Sequence, residues 1–235
     1  MSSNELPEPG AGAHTGRVRG AYPDRAAAGE ALAERLQAAY QDRPDVIVLG
    51  LVRGGVPVAA VVAERLRAPL DVLVVRKLGV PWAPELAFGA MGPGGVVVYN
   101  PEVAGHLTDR DMDLVRRREE AELRRREQLY RGGHPPLDLT GRTAIVVDDG
   151  LATGATARAA VTVTRKLAAA RVVVAVPVGS VDAVAALEKL ADQVVCPLIP
   201  PDFGAVSRYY DRFPQTTDDE VAALLSRGRG APPSR

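Results

Sequence analysis

Thr143-Ala-Ile-Val-Val-Asp-Asp-Gly-Leu-Ala-Thr-Gly-Ala-Thr156 is the stretch on which the reading of this chain turns. Its apolar start is of the kind found in strands buried on both faces, and it ends in two acids, Asp148 and Asp149. A loop of small residues follows, and a helix opens near Thr153–Thr156. Backbone N–H groups of such a loop, backed by the positive end of a helix, form a ready anion cradle. Thr153 and Thr156 add hydroxyl donors, while Gly150, Gly154 and Ala155 let a ligand approach the backbone closely. A phosphate held there would leave the paired carboxylates some way off. In that position they could accept hydrogen bonds from the vicinal hydroxyls of an attached sugar, or help hold a metal bound to it. The stretch is not a Walker A loop, which needs Gly-Lys-Ser/Thr, nor the dinucleotide Gly-x-Gly-x-x-Gly fingerprint.

Outward from this stretch the chain alternates. Asp24–Tyr40 carries Ala28, Leu32, Leu36 and Tyr40 at helical spacing, with Asp24 as N-cap. Asp45–Leu51 and Leu70–Val75 read as buried strands on either side of a helix over Val56–Arg67. Strand 143–148 leads to helix 154–170, strand 171–177 to helix 181–191, and strand 193–198 closes the run. Alternating buried strands and helices predict one α/β domain with a doubly wound parallel sheet, spanning 21–227. Residues 1–20 and 228–235, rich in Gly, Pro, Ser and Ala, are expected to be disordered tails. Residues 86–99 suggest a hairpin-like excursion, and 108–131 a long charged helix whose acids and bases fall at i, i+3 and i, i+4 spacings.

The segment from Thr143 to Thr156 resembles the phosphoribosyl-pyrophosphate (PRPP) motif of the type I phosphoribosyltransferases: four apolar residues, two acids, and a loop ending Thr-Gly-x-Thr. The resemblance implies that Asp148 and Asp149 contact the ribose 2- and 3-hydroxyls. It likewise implies that Gly150, Leu151, Ala152, Thr153, Gly154, Ala155 and Thr156 hold the 5-phosphate. Leu49-Gly-Leu-Val-Arg-Gly-Gly-Val-Pro57 looks like the family's pyrophosphate loop, assigning Arg53, Gly54 and Gly55 to the leaving group. In many relatives that loop contains a non-proline cis peptide, expected here at Val52–Arg53 or Arg53–Gly54. Val74-Val-Arg-Lys-Leu-Gly79 resembles the strand end leading into a flexible catalytic loop, so Arg76 and Lys77 are candidates for pyrophosphate and catalysis, with residues 78–98 closing over the site. A hood over about 199–215 would present Phe203, Tyr209 and Tyr210 to the acceptor. Mg²⁺, arriving mostly with PRPP, would be held by Asp148 and Asp149, with Asp211 as a further ligand. Ala152 stands where hypoxanthine-guanine enzymes carry a purine-handling Asp, so that assignment has no support. Within the family, the chain looks like the orphan bacterial phosphoribosyltransferase-like branch.

The expected activity is therefore transfer of 5-phosphoribosyl from PRPP to an unidentified acceptor, a nucleobase or other small nucleophile, with release of pyrophosphate. The alternative is a non-catalytic PRPP- or nucleotide-sensing regulator. Composition bears on partners and location. With 29 Lys+Arg against 29 Asp+Glu among 235 residues, the net charge is zero, which argues against a general nucleic-acid binder. One cysteine, Cys196, excludes an internal disulfide framework and fits a reducing cytoplasm. No apolar run approaches the length that a membrane-spanning helix needs, so no membrane association is expected. A cytoplasmic homodimer is the expected state.

Overall fold

The structure is a computed structural model and describes residues 22–132 and 134–228. The expected tails, 1–20 and all but the first residue of 228–235, lie outside the described residues. In chain order the elements are α1 (Arg25–Tyr40), β1 (Val46–Leu51), α2 (Gly55–Leu66), β2 (Leu70–Leu73), β3 (Arg76–Val80), β4 (Ala83–Gly92), β5 (Val96–Tyr99) and α3 (Pro101–Ala104). After these come α4 (Asp109–Arg131), β6 (Thr143–Val147), α5 (Ala155–Lys166), β7 (Arg171–Ala175), α6 (Val181–Glu188), β8 (Gln193–Val195) and α7 (Asp218–Gly228).

Five strands form a wholly parallel sheet in the order β2-β1-β6-β7-β8. Period-two alternation sorts their side chains onto two apolar layers. Val46, Val48, Ile145, Val147, Val173 and Ala175 face the layer shared with α1, α2 and α7. Ile47, Leu49, Leu51, Ala144, Val146, Val172 and Val174 face the layer under α5 and α6. Because both faces are covered, the strands are nearly continuous runs of Val, Ile and Leu, and every residue of β1 is buried. The doubly wound parallel sheet is thus as expected.

Local chemistry sets the helix ends. The Asp24 carboxylate accepts from the Ala27 amide at 3.0 Å, a cap worth about 1 kcal/mol. Thr217 and Glu220 close a reciprocal capping box before α7: the Glu220 amide donates to the Thr217 hydroxyl at 3.2 Å, and the Thr217 amide to the Glu220 carboxylate at 2.9 Å.

One region differs from expectation. The hairpin expected over 86–99 is present, as β4 and β5 around the turn Pro93–Gly95, but the stretch before it, read as a strand end and a loop, is paired as well, giving a three-stranded antiparallel sheet, β3-β4-β5. Arg76 and Lys77 open β3 and pair with Met91 and Ala90. The physical reason is burial: Leu78, Val80, Phe88 and Met91 join the main core, and Ala90 joins the second layer. A mobile loop would leave those side chains in water.

Candidate functional site

Along the parallel sheet the chain runs from β1 outward to β2, then returns to β6 on the other side of β1. The carboxyl ends of β1 and β6 therefore flank the point where the winding reverses, the place where open α/β sheets bind ligands. Gly50 pairs with Val147 at that edge. The next residues of each strand are the two loops that the sequence singled out, Val52–Gly55 and Asp148–Gly154.

The second loop is strapped to residues 178–180. The Leu151 amide donates to the Val178 carbonyl and the Ser180 amide to the Leu151 carbonyl, both at 2.9 Å. The Ser180 hydroxyl donates to the Ala152 carbonyl at 2.7 Å. Ala155 reaches only the Thr153 hydroxyl, at 3.4 Å. Among the described residues, the amides of Ala152, Thr153 and Gly154 donate to no protein acceptor. Gly154 sits at φ +68° immediately before α5, a left-handed conformation that glycine adopts without steric cost. The result is a run of free donors at the N-terminus of a twelve-residue helix, which suits a phosphate dianion.

At the mouth of this cradle stand the two acids. The Asp149 carboxylate accepts a hydrogen bond from Arg25 Nε at 2.9 Å on Oδ2, and Nη2 approaches the same oxygen to 2.8 Å as an ion pair. The Tyr210 hydroxyl donates to the Asp149 carbonyl at 2.6 Å. Burial, reinforced by the neighbouring Asp149 charge, pushes the Asp148 carboxyl well above the ordinary aspartate value. Burial also raises Asp149, while the Arg25 guanidinium opposes the rise. Two adjacent, poorly solvated acids of this kind favour hydrogen bonding to hydroxyls or the approach of a cation.

The first loop lies directly against them. The peptide bond Val52–Arg53 is cis, at the first of the two expected positions. A Cβ on Gly54 would run into the Asp149 carboxylate, and one on Gly55 would lie 2.5 Å from the Val147 carbonyl and 2.8 Å from the Asp148 Cα. The glycines are what permit the two loops to touch.

The candidate cations are all engaged. Arg53 faces Asp218 at the start of α7, 3.5 Å away. Asp218 also accepts from the Tyr130 hydroxyl at 2.6 Å, and burial together with that carboxylate pushes Tyr130 up to about 12. Arg76 binds Glu119 of α4 through Nε at 2.7 Å and Nη2 at 2.5 Å. Arg76 and Lys77 line a cleft of about 430 Å³ with Arg118, Glu119 and Thr156 of the cradle. The cleft thus joins the phosphate end of the site to the antiparallel sheet.

The aromatic candidates are placed otherwise than expected. Phe203, Tyr209 and Tyr210 are buried and pack on Ala28 and Val178, with ring centroids of Phe203 and Tyr209 5.4 Å apart. Tyr209 spends its hydroxyl on the carbonyls of Asp202 and Phe203. In this conformation these rings fasten the C-terminal segment to the core and offer no open face for stacking. Asp211 is exposed, and its amide bonds to the Tyr22 carbonyl at 2.9 Å. Among the described residues no three His, Cys, Asp or Glu side chains cluster as a metal cage, so Asp211 does not complete one with Asp148 and Asp149. Two carboxylates with oxygens to spare do fit Mg²⁺ that arrives with phosphate ligands of its own.

Sequence reading missed Arg25, Glu119, Tyr130 and Asp218. Arg25 lies 124 positions from Asp149 and follows the helix cap Asp24, so in sequence it looks like an ordinary charge at a helix start. No spacing signal points to it.

A parallel sheet with free loop amides at a helix start and an acid pair at its switch point is the arrangement in which open α/β sheets present a site for anionic ligands. The chain matches the phosphoribosyl transferase domain over residues 21–214 and belongs to that family. Two Mycobacterium tuberculosis proteins, from strains H37Rv and CDC 1551 and each provisionally named a phosphoribosyl transferase, are 54% identical to it over 208 residues. The alignment covers 88% of this chain and 46% of each relative, so the chain spans about half the length of these curated relatives. The crystal structure of TT1426 from Thermus thermophilus shares 42% identity at a TM-score of 0.83, covering 89% of this chain and all of that one. Among the described residues no helix is long and apolar enough to cross a membrane.

Proposed function

We propose that the chain transfers 5-phosphoribosyl from PRPP to a small nucleophilic acceptor and releases pyrophosphate. The observation that carries this reading is the contact between the two loops: Gly54 and Gly55 lie against Asp149 and Asp148. That contact sets a candidate pyrophosphate loop and a candidate ribose clamp side by side, beside three free amides for a 5-phosphate.

In this reading the amides of Ala152, Thr153 and Gly154 and the hydroxyls of Thr153 and Thr156 hold the 5-phosphate. Asp148 and Asp149 accept hydrogen bonds from the ribose 2- and 3-hydroxyls, fixing the ring. Arg53 swings from Asp218, and the Gly54–Gly55 backbone with Arg76 and Lys77 meets the pyrophosphate as charge develops on it. The bond from the anomeric carbon to the pyrophosphate oxygen breaks, the acceptor's lone pair forms the new bond, and the acceptor's proton leaves to solvent. Mg²⁺ bound with PRPP supplies charge neutralisation on the departing pyrophosphate. The chain's own contribution is positioning and the exclusion of water.

The test is a screen of nucleobases, amines and alcohols with PRPP and Mg²⁺, reading pyrophosphate release, with Asp148→Asn/Asp149→Asn as control. Release that depends on acceptor and on both acids supports the reading. PRPP binding without release for any acceptor would favour a regulatory PRPP sensor. Absence of PRPP binding would remove the site assignment altogether.

A further inference from the structure

We propose that Arg25 is a positioning residue of the phosphoribosyl site, which fixes the Asp149 carboxylate so that its second oxygen faces the sugar and ties that carboxylate to the C-terminal segment. This inference rests on the phosphoribosyltransferase reading above and deepens it.

The geometry is specific. Arg25 directs Nε and Nη2 to one oxygen, Oδ2, rather than bridging both oxygens of the carboxylate. The other oxygen, Oδ1, takes no hydrogen bond from Arg25 and stays available. The guanidinium's remaining arm, Nη1, donates to the Pro214 carbonyl at 2.7 Å. Its plane lies over the Phe213 ring at 3.8 Å, within the range of a cation–π contact. Only 11% of the Arg25 side chain is exposed.

Three separate parts of the chain therefore meet on one guanidinium: the start of α1, the end of β6, and residues 213–214. A lone aspartate side chain has two freely rotating torsions, and a carboxylate used to recognise vicinal hydroxyls must have both fixed. Asp149 is held from two sides, by Arg25 on the carboxylate and by the Tyr210 hydroxyl on the carbonyl. Gly54 lies on the third side, where a Cβ would overlap the carboxylate. Lysine could not reproduce this arrangement. Its ammonium lacks the planar fork that engages Oδ2, Pro214 and the Phe213 face together.

The experiment measures binding of ribose 5-phosphate, its 2-deoxy and 3-deoxy counterparts, and inorganic phosphate to the full chain by calorimetry. The proteins compared are wild type, Arg25→Gln, Arg25→Lys and Phe213→Leu. A hydrogen bond to a charged group implies that wild type prefers the ribose compound over at least one deoxy analogue by about tenfold. In Arg25→Gln that preference should fall below about threefold while inorganic phosphate binds as before, because the cradle does not involve Arg25. Arg25→Lys should recover part of the preference. Phe213→Leu keeps an apolar side chain against Tyr210, whose ring lies 4.7 Å from that of Phe213, but removes the ring under the guanidinium. It should show a smaller loss in the same direction, and serves as the test if Arg25→Gln folds poorly. An undiminished preference in Arg25→Gln, or an equal loss for all four ligands, overturns the inference. If wild type binds ribose 5-phosphate no better than its deoxy analogues, the sugar-clamp reading itself fails, a result distinguishable from failure at Arg25 alone.

Discussion

Gly54 lies so close to Asp149 that a Cβ on the glycine would overlap the carboxylate oxygens. Its neighbour Gly55 packs just as tightly, but against backbone: the Val147 carbonyl and the Asp148 Cα. The two glycines therefore respond differently to the same substitution. Gly54 has an ordinary helical backbone, φ −62°, and the atoms nearest an added Cβ all belong to the Asp149 side chain, which can rotate off Arg25. Gly54→Ala should weaken PRPP binding at least about tenfold while costing only about 1 kcal/mol in stability. Gly55→Ala has no side chain to push aside and should cost about 2–3 kcal/mol. Denaturant unfolding alongside calorimetric PRPP titration separates the two effects.

Asp148 trades stability for function. Its carboxyl is raised well above the ordinary value of 3.8 by burial and by Asp149. For an acid whose folded value is raised, the native state binds more protons than the unfolded one between the two values, so stability falls as pH rises from about 4 through the raised value. Asp148→Asn removes that penalty. The variant should be more stable than wild type at pH 7 by about 1 kcal/mol or more, with a flatter stability profile above pH ~4, and should bind PRPP at least about tenfold more weakly. Thermal unfolding across about pH 4–8 checks the first, and titration the second. A variant less stable than wild type at neutral pH would show that the acid pair is not under electrostatic stress.

Asp218 holds Arg53 away from the loop it is proposed to serve. The pair is 3.5 Å apart with side chains 34% and 42% exposed, so it is worth only about 0.2–1 kcal/mol. Asp218→Asn should let Arg53 turn toward pyrophosphate more readily, raising PRPP affinity by about two- to fivefold. Stability should move the other way, because the charge-assisted bond from Tyr130 and an acidic first-turn residue of α7 are both lost. Opposite signs for binding and stability are the test. A fall in both would mean that Asp218 supports the site rather than restrains it.

The parallel sheet was legible because its strands are buried on both faces and announce themselves as unbroken apolar runs. The phosphate cradle was equally legible, since a strand, an acid pair and a small-residue loop lie within the single stretch from Thr143 to Thr156. Arg25 and Asp218 were not. They reach their partners only after the chain closes on itself, and a single charged residue at a helix start carries no pattern. The aromatics of 203–210 show a different limit: composition locates rings in a segment but cannot say whether folding turns them outward or onto Ala28 and Val178. The hairpin over 86–99 was legible, but the stretch before it read as loop because its glycines and prolines are loop signals. In the structure the glycines of 76–99 let strands and helices pack closely: a Cβ on Gly89 would lie 2.6 Å from the Val98 carbonyl of the neighbouring strand.

Gly92 makes the same point and yields a test of whether 76–99 is sheet or loop. It ends β4 where that strand crosses α5, and a Cβ there would collide with the Val163 side chain. β4 is the central strand of its sheet, paired with β3 through Leu78–Gly89, Lys77–Ala90 and Arg76–Met91, and with β5 through Gly89–Tyr99, Ala90–Val98 and Met91–Val97. Amides across Gly89–Met91 should therefore exchange at least about a hundredfold more slowly than in an unstructured chain. Gly92→Ala should wedge β4 off α5 and reduce that protection by about tenfold or more. The amides of β1 and β6 should keep theirs, since the atoms nearest the added Cβ all belong to Val163 of α5. Hydrogen exchange read by mass spectrometry on both proteins decides it. Rapid exchange across Gly89–Met91 in wild type would return the segment to a loop. Equal loss in β1 and β6 of the variant would show that the antiparallel sheet is part of the global folding unit rather than a separable cover for the site.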